Sequence, residues 1–241
     1  MSVSDGFLEH VFHPLRGDRN YQREKYFFSR VRERKGTLLI LDVGCGAALY
    51  SKSLVAGSSS QFRFIGIDGS LPGLFLARSH NPAGAYVQGR MPGLPIRRHT
   101  VDVLFCFGVL MYISQWPVAL SELGSILKPG GELMMYERLR KPSISGWLRP
   151  WKKESLMDGR SIDEAFLRME LKKIGDIELW VKDYSPIRYL LVQFLRRWMD
   201  RKWVTKFVVG IDTAVIGTIG RILPLLDGRG VFVTLRKTAK A

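Results

Sequence analysis

The sequence predicts an α/β protein built on a doubly wound, largely parallel sheet. Three observations carry that expectation. Leu38-Leu39-Ile40-Leu41-Asp42-Val43 is an apolar run of strand length that enters Gly44-Cys45-Gly46 and then helix-compatible residues, the opening of a βαβ unit. Strand-like and helix-like stretches then alternate along the chain. Val101-Asp102-Val103-Leu104-Phe105-Cys106-Phe107 is almost continuously apolar, as a strand buried on both faces requires.

Composition bounds the rest. A chain of 241 residues fits one α/β domain with some decoration, and 46% hydrophobic residues are enough for a sizeable core, so wholesale disorder is excluded. Lys and Arg total 37 against 22 Asp and Glu, a net charge of +15 that calls for an anionic partner surface, nucleic acid or acidic membrane. Cys45 and Cys106 fall in or beside expected strands and read as small core or pocket residues in a reducing cytosol. No Cys and His cluster has zinc spacing, so no metal is expected. Asp5 and Glu9 interrupt the N-terminus, so a cytoplasmic rather than secreted protein is expected.

Residues 1–36 are polar with a helical pattern, and Tyr21, Tyr26, Phe27, Phe28 and Val31 give a partial apolar stripe among Arg and Lys. The first strand is expected over 37–43. Gly44 and Gly46 then permit a tight turn and close approach of a ligand to the backbone. A helix over 47–56 would offer its N-terminal N–H groups to an anionic group. The turn is no phosphate loop, because no lysine follows Gly46, and Leu49 would crowd a dinucleotide turn. Asp42, placed before the glycines, suits a ligand that carries a cation. The second strand, 62–68, ends in Asp68, whose two oxygens can accept both ribose hydroxyl protons of a nucleoside.

A helix over 71–80 and a strand over 85–88 follow, then Gly89-Arg90-Met91-Pro92-Gly93-Leu94-Pro95-Ile96. After the strand at 101–107 come Gly108 to Ile113, a helix over 114–127, the turn Lys128-Pro129-Gly130-Gly131 and a strand over 132–137. In this order, LDVGCG, Asp68, Leu94-Pro95-Ile96 and Leu127 to Gly131 resemble the motifs of the class I S-adenosylmethionine-dependent methyltransferases, of the type that act on small molecules, quinones and lipids. The resemblance covers about 37–137. It implies a Rossmann-like, doubly wound, seven-stranded sheet with an antiparallel last strand. It implies S-adenosyl-L-methionine as cofactor, with its methionine part on Asp42, Gly44, Cys45 and Gly46, its ribose at Asp68 and Gly69, and its adenine near Arg90 and Met91. Phe107, at the end of the fourth strand, completes the expected cofactor set. One position departs from the pattern. Arg90 stands where the family has an Asp that reaches the adenine amino group, and an arginine cannot accept that bond. Adenine recognition therefore falls to backbone groups near Arg90 and Met91, or to stacking.

Residues 138–160 are basic, with Trp147 and Trp151, and read as a substrate-side segment. A helix over 161–174 begins at Ser161, with Glu164 completing a capping box. Strands over 177–181 and 230–236 resemble the antiparallel edge of the methyltransferase sheet. Between them, 185–228 is an insertion. Ile187, Leu190, Leu191, Phe194, Leu195 and Trp198 recur at helical spacing over 187–203, with Arg188, Arg196, Arg197, Asp200 and Arg201 largely opposite. Residues 207–226 approach the length of a membrane span, about 20 residues. Asp212 and the pairing of the flanking strands in one sheet argue against a span. Four roles stay open for the insertion: a lid over a lipophilic substrate, an in-plane membrane anchor, a homodimer contact, or extra core. The expected organisation is an N-terminal helical segment, 1–36, a methyltransferase domain, 37–184 with 229–241, and this insertion.

Methyl transfer from a sulfonium needs positioning and exclusion of water, and a general base only where the nucleophile holds its proton. Reactive groups should project from the carboxyl ends of the strands. Tyr112 and Glu137 are expected there, and His13 if the N-terminal segment folds over; these three are the candidate catalytic residues. His80 and His99 are expected at the opposite rim, on the surface. The acceptor reads as a small, lipid-like molecule met at or near a membrane. The alternatives are an RNA methyltransferase and a non-catalytic, cofactor-binding partner subunit. Nucleic acid ranks lower because no Asn/Asp-Pro-Pro-aromatic tetrapeptide follows the fourth strand.

Overall fold

The computed structural model describes residues 24–49, 54, 62–139, 162–183, 191, 194–195, 201–218 and 230–239. Strands β1 (Leu38–Val43), β2 (Phe62–Asp68), β3 (Ala85–Gln88), β4 (Val101–Phe107), β5 (Leu127–Arg138), β6 (Gly175–Asp183) and β7 (Gly230–Lys237) form one sheet in the order β3-β2-β1-β4-β5-β7-β6. The pairs from β3 through β5 are parallel, and β7 runs antiparallel to β5. The doubly wound sheet with an antiparallel last strand is thus as the sequence predicts. Strand order reverses between β1 and β4, and a crevice opens at such a switch point beyond the carboxyl ends.

The central strands owe their place to composition. Leu41 and Val43 of β1 and Leu104 and Cys106 of β4 belong to one core that continues through Leu120, Leu123 and Ile126. The described α-helices are α1 (Ser29–Arg32), α2 (Leu71–His80), α3 (Trp116–Ile126), α4 (Glu164–Lys172) and α5 (Lys202–Gly217), with a π-helical turn at Glu24–Phe28 and a 3-10 turn at Leu110–Tyr112. The Ser70 hydroxyl caps α2, accepting from Gly73 N at 3.3 Å, and Pro72 stands in the first turn, where its missing N–H costs nothing. Arg30, Arg34 and Arg236 surround buried Glu132. Arg236 donates to it at 2.7 Å and to Glu178 at 2.6 Å, and Arg30 also pairs with Glu178.

Several local expectations need correction. The helix expected from residue 47 does not begin there: 47–49 are turn, and Ala48 takes a left-handed φ of +44° while its N–H donates to Cys45 O at 2.8 Å. The glycine turn therefore extends one residue further. The cap of α4 is Asp163, accepting from Phe166 N at 2.9 Å; Ser161 lies outside the described residues. Lys128 to Gly131 belong to β5, where the register with β4 shifts, rather than forming a separate turn. The helix expected over 114–127 is shortened to α3. Of the two histidines expected on the surface, His80 is not a plain surface residue. His80 is half-buried with Nδ1 3.0 Å from Ala47 O, whereas His99 is exposed, with Nδ1 3.3 Å from Leu127 O.

The chain divides into two compact units. One, residues 30–140, 151–181 and 230–241, contains most of the sheet and its core. The other, 1–29, 141–150 and 182–229, contains α5. There Arg201 is extended, so the helix expected through 203 is interrupted before Trp203, which sits in the first turn of α5. Val204 and Val208 of α5 pack with Leu191 and Leu195. Among the described residues, no helix is long and apolar enough to cross a membrane.

Candidate cofactor and substrate site

The carboxyl ends of β1 and β2 are stitched together. The N–H groups of Gly44 and Cys45 both donate to Ile67 O, at 2.7 and 3.2 Å. Gly44 has φ +73°, and a Cβ there would lie 2.3 Å from Val109 Cγ2. Only glycine satisfies both the backbone angle and the contact. Asp68 then laces the turn from β2. Its Oδ2 accepts from Gly46 N at 2.8 Å and its Oδ1 from Ser70 N at 2.7 Å. Each carboxylate oxygen can accept a second bond, so Asp68 can hold the turn and still take two hydroxyl protons.

A cavity of about 390 Å³ opens over this turn. Gly44, Asp68, Gly69, Arg90 and Met91 line one side, and Val109, Tyr112, Ile113, Ser114 and Gln115 the other. Each wall is held by a carboxylate. Glu122 of α3 accepts from Gly93 N at 3.0 Å and Leu94 N at 2.7 Å, and so fixes the loop that follows Arg90 and Met91. Glu137 of β5 accepts from Val109 N at 3.0 Å and Leu110 N at 2.9 Å, and so fixes the segment that leads to Tyr112. Arg90 lies along Gly69, its Nε 3.1 Å from where a Gly69 Cβ would stand. Gln88 Nε2 donates to Gly69 O at 3.2 Å.

Glu137 has 0% exposure. Burial pushes its carboxyl up to about 7, against the backbone N–H groups that favour the charged form. Burial likewise pushes both thiols up, Cys45 with help from the Asp42 and Asp68 charges and Cys106 with help from Glu137 and Asp42. Both cysteines are free and buried, as small core residues. Among the described residues, no three His, Cys, Asp or Glu side chains group as a metal site.

The cavity therefore gathers Gly44, Asp68, Gly69, Arg90, Met91 and Tyr112 of the residues singled out from sequence. Its described lining does not include Asp42, Cys45, Gly46, Phe107 or Glu137. Asp42 is buried beneath the turn, Gly46 is bound to Asp68, and Phe107 stacks on Phe105 with centroids 5.3 Å apart. Tyr112 is 68% exposed at the mouth. His13, together with Tyr21 and Arg23, lies outside the described residues. Sequence reading missed Glu122, which looks like an ordinary surface position of a helix. It also missed the contact of Val109 with Gly44, which no spacing rule announces.

Comparison with known proteins gives this geometry a family. A model described as Methyltransferase domain matches residues 41–135, from the turn through β5. The chain is 28% identical over 130 residues to a malonyl-[acyl-carrier protein] O-methyltransferase of Pectobacterium atrosepticum, covering 54% of this chain and 49% of that protein. It is 31% identical over 131 residues to a probable tRNA methyltransferase 9B of Bos taurus, covering 51% of this chain and 27% of that protein. The chain thus spans about half or less of the curated relatives it matches. In fold, it resembles phosphoethanolamine N-methyltransferase 2 of Haemonchus contortus, solved in complex with S-adenosyl-L-methionine. The TM-score is 0.62 at 17% identity, covering 92% of this chain and 52% of that one. The sheet order, the laced glycine turn and the match over 41–135 together show that this part of the chain is a methyltransferase domain of the class I, S-adenosylmethionine-dependent type.

Proposed function

We propose that the protein transfers the methyl group of S-adenosyl-L-methionine to a small, lipophilic acceptor. The observation that carries the reading is the double lacing of Asp68, to Gly46 N and Ser70 N, at the edge of a cavity floored by Gly44. The residues present fit the cofactor. Gly44 lets a ligand meet backbone, Asp68 offers two acceptors to a ribose, and Met91 with its neighbours offers an apolar bed for a ring. Asp42 adds a buried negative charge beneath the turn. Arg90 cannot accept from an adenine amino group, so backbone groups of the loop held by Glu122 would recognise it.

When bound, the cofactor supplies an activated methyl group. The chain's own part is to bind, orient and exclude water. Val109 and Ile113 give the acceptor side an apolar wall, and Tyr112 is the hydroxyl at the mouth. Tyr112 is the candidate for holding or taking an acceptor proton. Glu137 is buried behind the wall and acts through the backbone it binds. The test is transfer of isotopically labelled methyl from the cofactor into a total lipid extract, a small-metabolite pool and bulk RNA. The reading expects label in the lipid fraction, dependent on Asp68.

The likeness to a probable tRNA methyltransferase 9B, with the net charge of +15, supports RNA as a second acceptor class. Label found in RNA, with binding that survives physiological salt, would favour it over the first reading.

A further inference from the structure

We infer that the exposed face at the start of α5 docks on an anionic phospholipid surface. Within its own unit, α5 buries Val204, Val208, Val209 and Asp212 and turns Trp203, Lys206, Phe207 and Gly210 outward at helical spacing. A helix in water normally sends its large apolar side chains inward. Here Trp203 is 65% exposed and Phe207 56%, and nearby Phe194 is 83% exposed. Leu195, Arg201, Trp203, Val204 and Phe207 line an apolar cleft of about 330 Å³.

Charge chooses the occupant. Arg201 and Lys206 are exposed beside these aromatics. Within described residues 201–218 the single carboxylate is that of Asp212, which is 2% exposed. Among the described residues, the face is therefore apolar in the middle, cationic at its border and without an exposed acid. The first turn of α5 carries no acidic residue, and Arg201 offers the helix start no capping oxygen, although that end of a helix favours negative charge. An anionic headgroup layer supplies what is missing. Its phosphates meet Arg201 and Lys206, and the interfacial zone receives Trp203, Phe207 and Phe194. A second copy would bring the same cations to the contact, and like charge opposes that pairing.

The experiment is vesicle co-sedimentation of the full chain, with phosphatidylcholine alone and with phosphatidylcholine mixed with phosphatidylglycerol. Neither cofactor nor acceptor is needed, so a failure here leaves the methyl-transfer reading standing. The wild type is expected to sediment with the anionic vesicles only, and less so as salt rises. Replacing both cations, Arg201→Gln with Lys206→Gln, should weaken partitioning by about thirtyfold, at the usual scale for two surface charges. Trp203→Ser with Phe207→Ser should also release the protein while leaving its charge intact. Should that pair fail to fold, the charge pair still decides, because both side chains lie on the surface. Brominated lipid should quench wild-type fluorescence more than that of Trp203→Phe. Equal binding to neutral vesicles, or full binding by the charge pair, would overturn the inference. So would a wild-type dimer that Trp203→Ser turns into a monomer.

Discussion

Val109 fills the space that a side chain at Gly44 would need, with its Cγ2 2.3 Å from the position of a Cβ there. The contact joins the two walls of the cavity, since Gly44 belongs to the turn after β1 and Val109 to the segment after β4. Gly44→Ala should therefore weaken binding of the cofactor by tenfold or more, through left-handed strain of about 1–2 kcal/mol and displacement of Val109. Gly36→Ala is the control: it has φ +87° and nothing within 4 Å, so it should lose stability but keep affinity. Adding Val109→Ala to Gly44→Ala should recover part of the binding. Calorimetric titration of all four proteins reads the coupling.

Glu137 makes stability depend on pH. Its folded-state value lies near 7, above the ordinary 4.5, because the carboxyl is buried. The folded state thus keeps a proton that the unfolded chain releases, and stability falls as pH rises from about 4.5 to about 7 and is level beyond. The size is about 3 kcal/mol. Glu137→Gln keeps an oxygen for Val109 N and Leu110 N but cannot ionise. Denaturant midpoints at pH 5 and pH 8 should differ less in this variant than in the wild type, and the variant should be the more stable at pH 8. An unchanged difference would remove Glu137 as the titrating group.

Glu122 gives a third prediction. Its carboxylate takes the N–H groups of Gly93 and Leu94 in the loop beyond Arg90 and Met91. Glu122→Ala should cost about 1–3 kcal/mol of stability, and, if the proposed cofactor pose sets the adenine on this loop, weaken the cofactor more than free methionine. Equal losses for both ligands in competition titrations would place the effect elsewhere.

Most of the sheet was legible because its signals are local. Strand lengths, glycine turns and continuous apolar runs fix β1, β2 and β4 to within a residue or two, and Asp68 stands out in the sequence as the acid at a strand end before a turn, where the structure sets it on the cavity lining. What stayed hidden depends on distance. Glu122 meets Gly93 across 29 residues and Glu137 meets Val109 across 28, so neither role is written in its own neighbourhood. Glu137 was expected to project towards substrate; the structure buries it behind the wall. The helix expected from residue 47 failed for a local reason, because propensity cannot see the left-handed angle that Ala48 adopts to finish the turn.

The central claim is that Asp68 and the glycine turn hold S-adenosylmethionine. Its most direct test is calorimetric titration of the demethylated product, S-adenosylhomocysteine, into the wild type and into Asp68→Ala. The account predicts one site in the wild type and a loss of about 1.5–3 kcal/mol in the variant, the scale of charged hydrogen bonds. No binding by the wild type, or equal affinity in the two proteins, would contradict it.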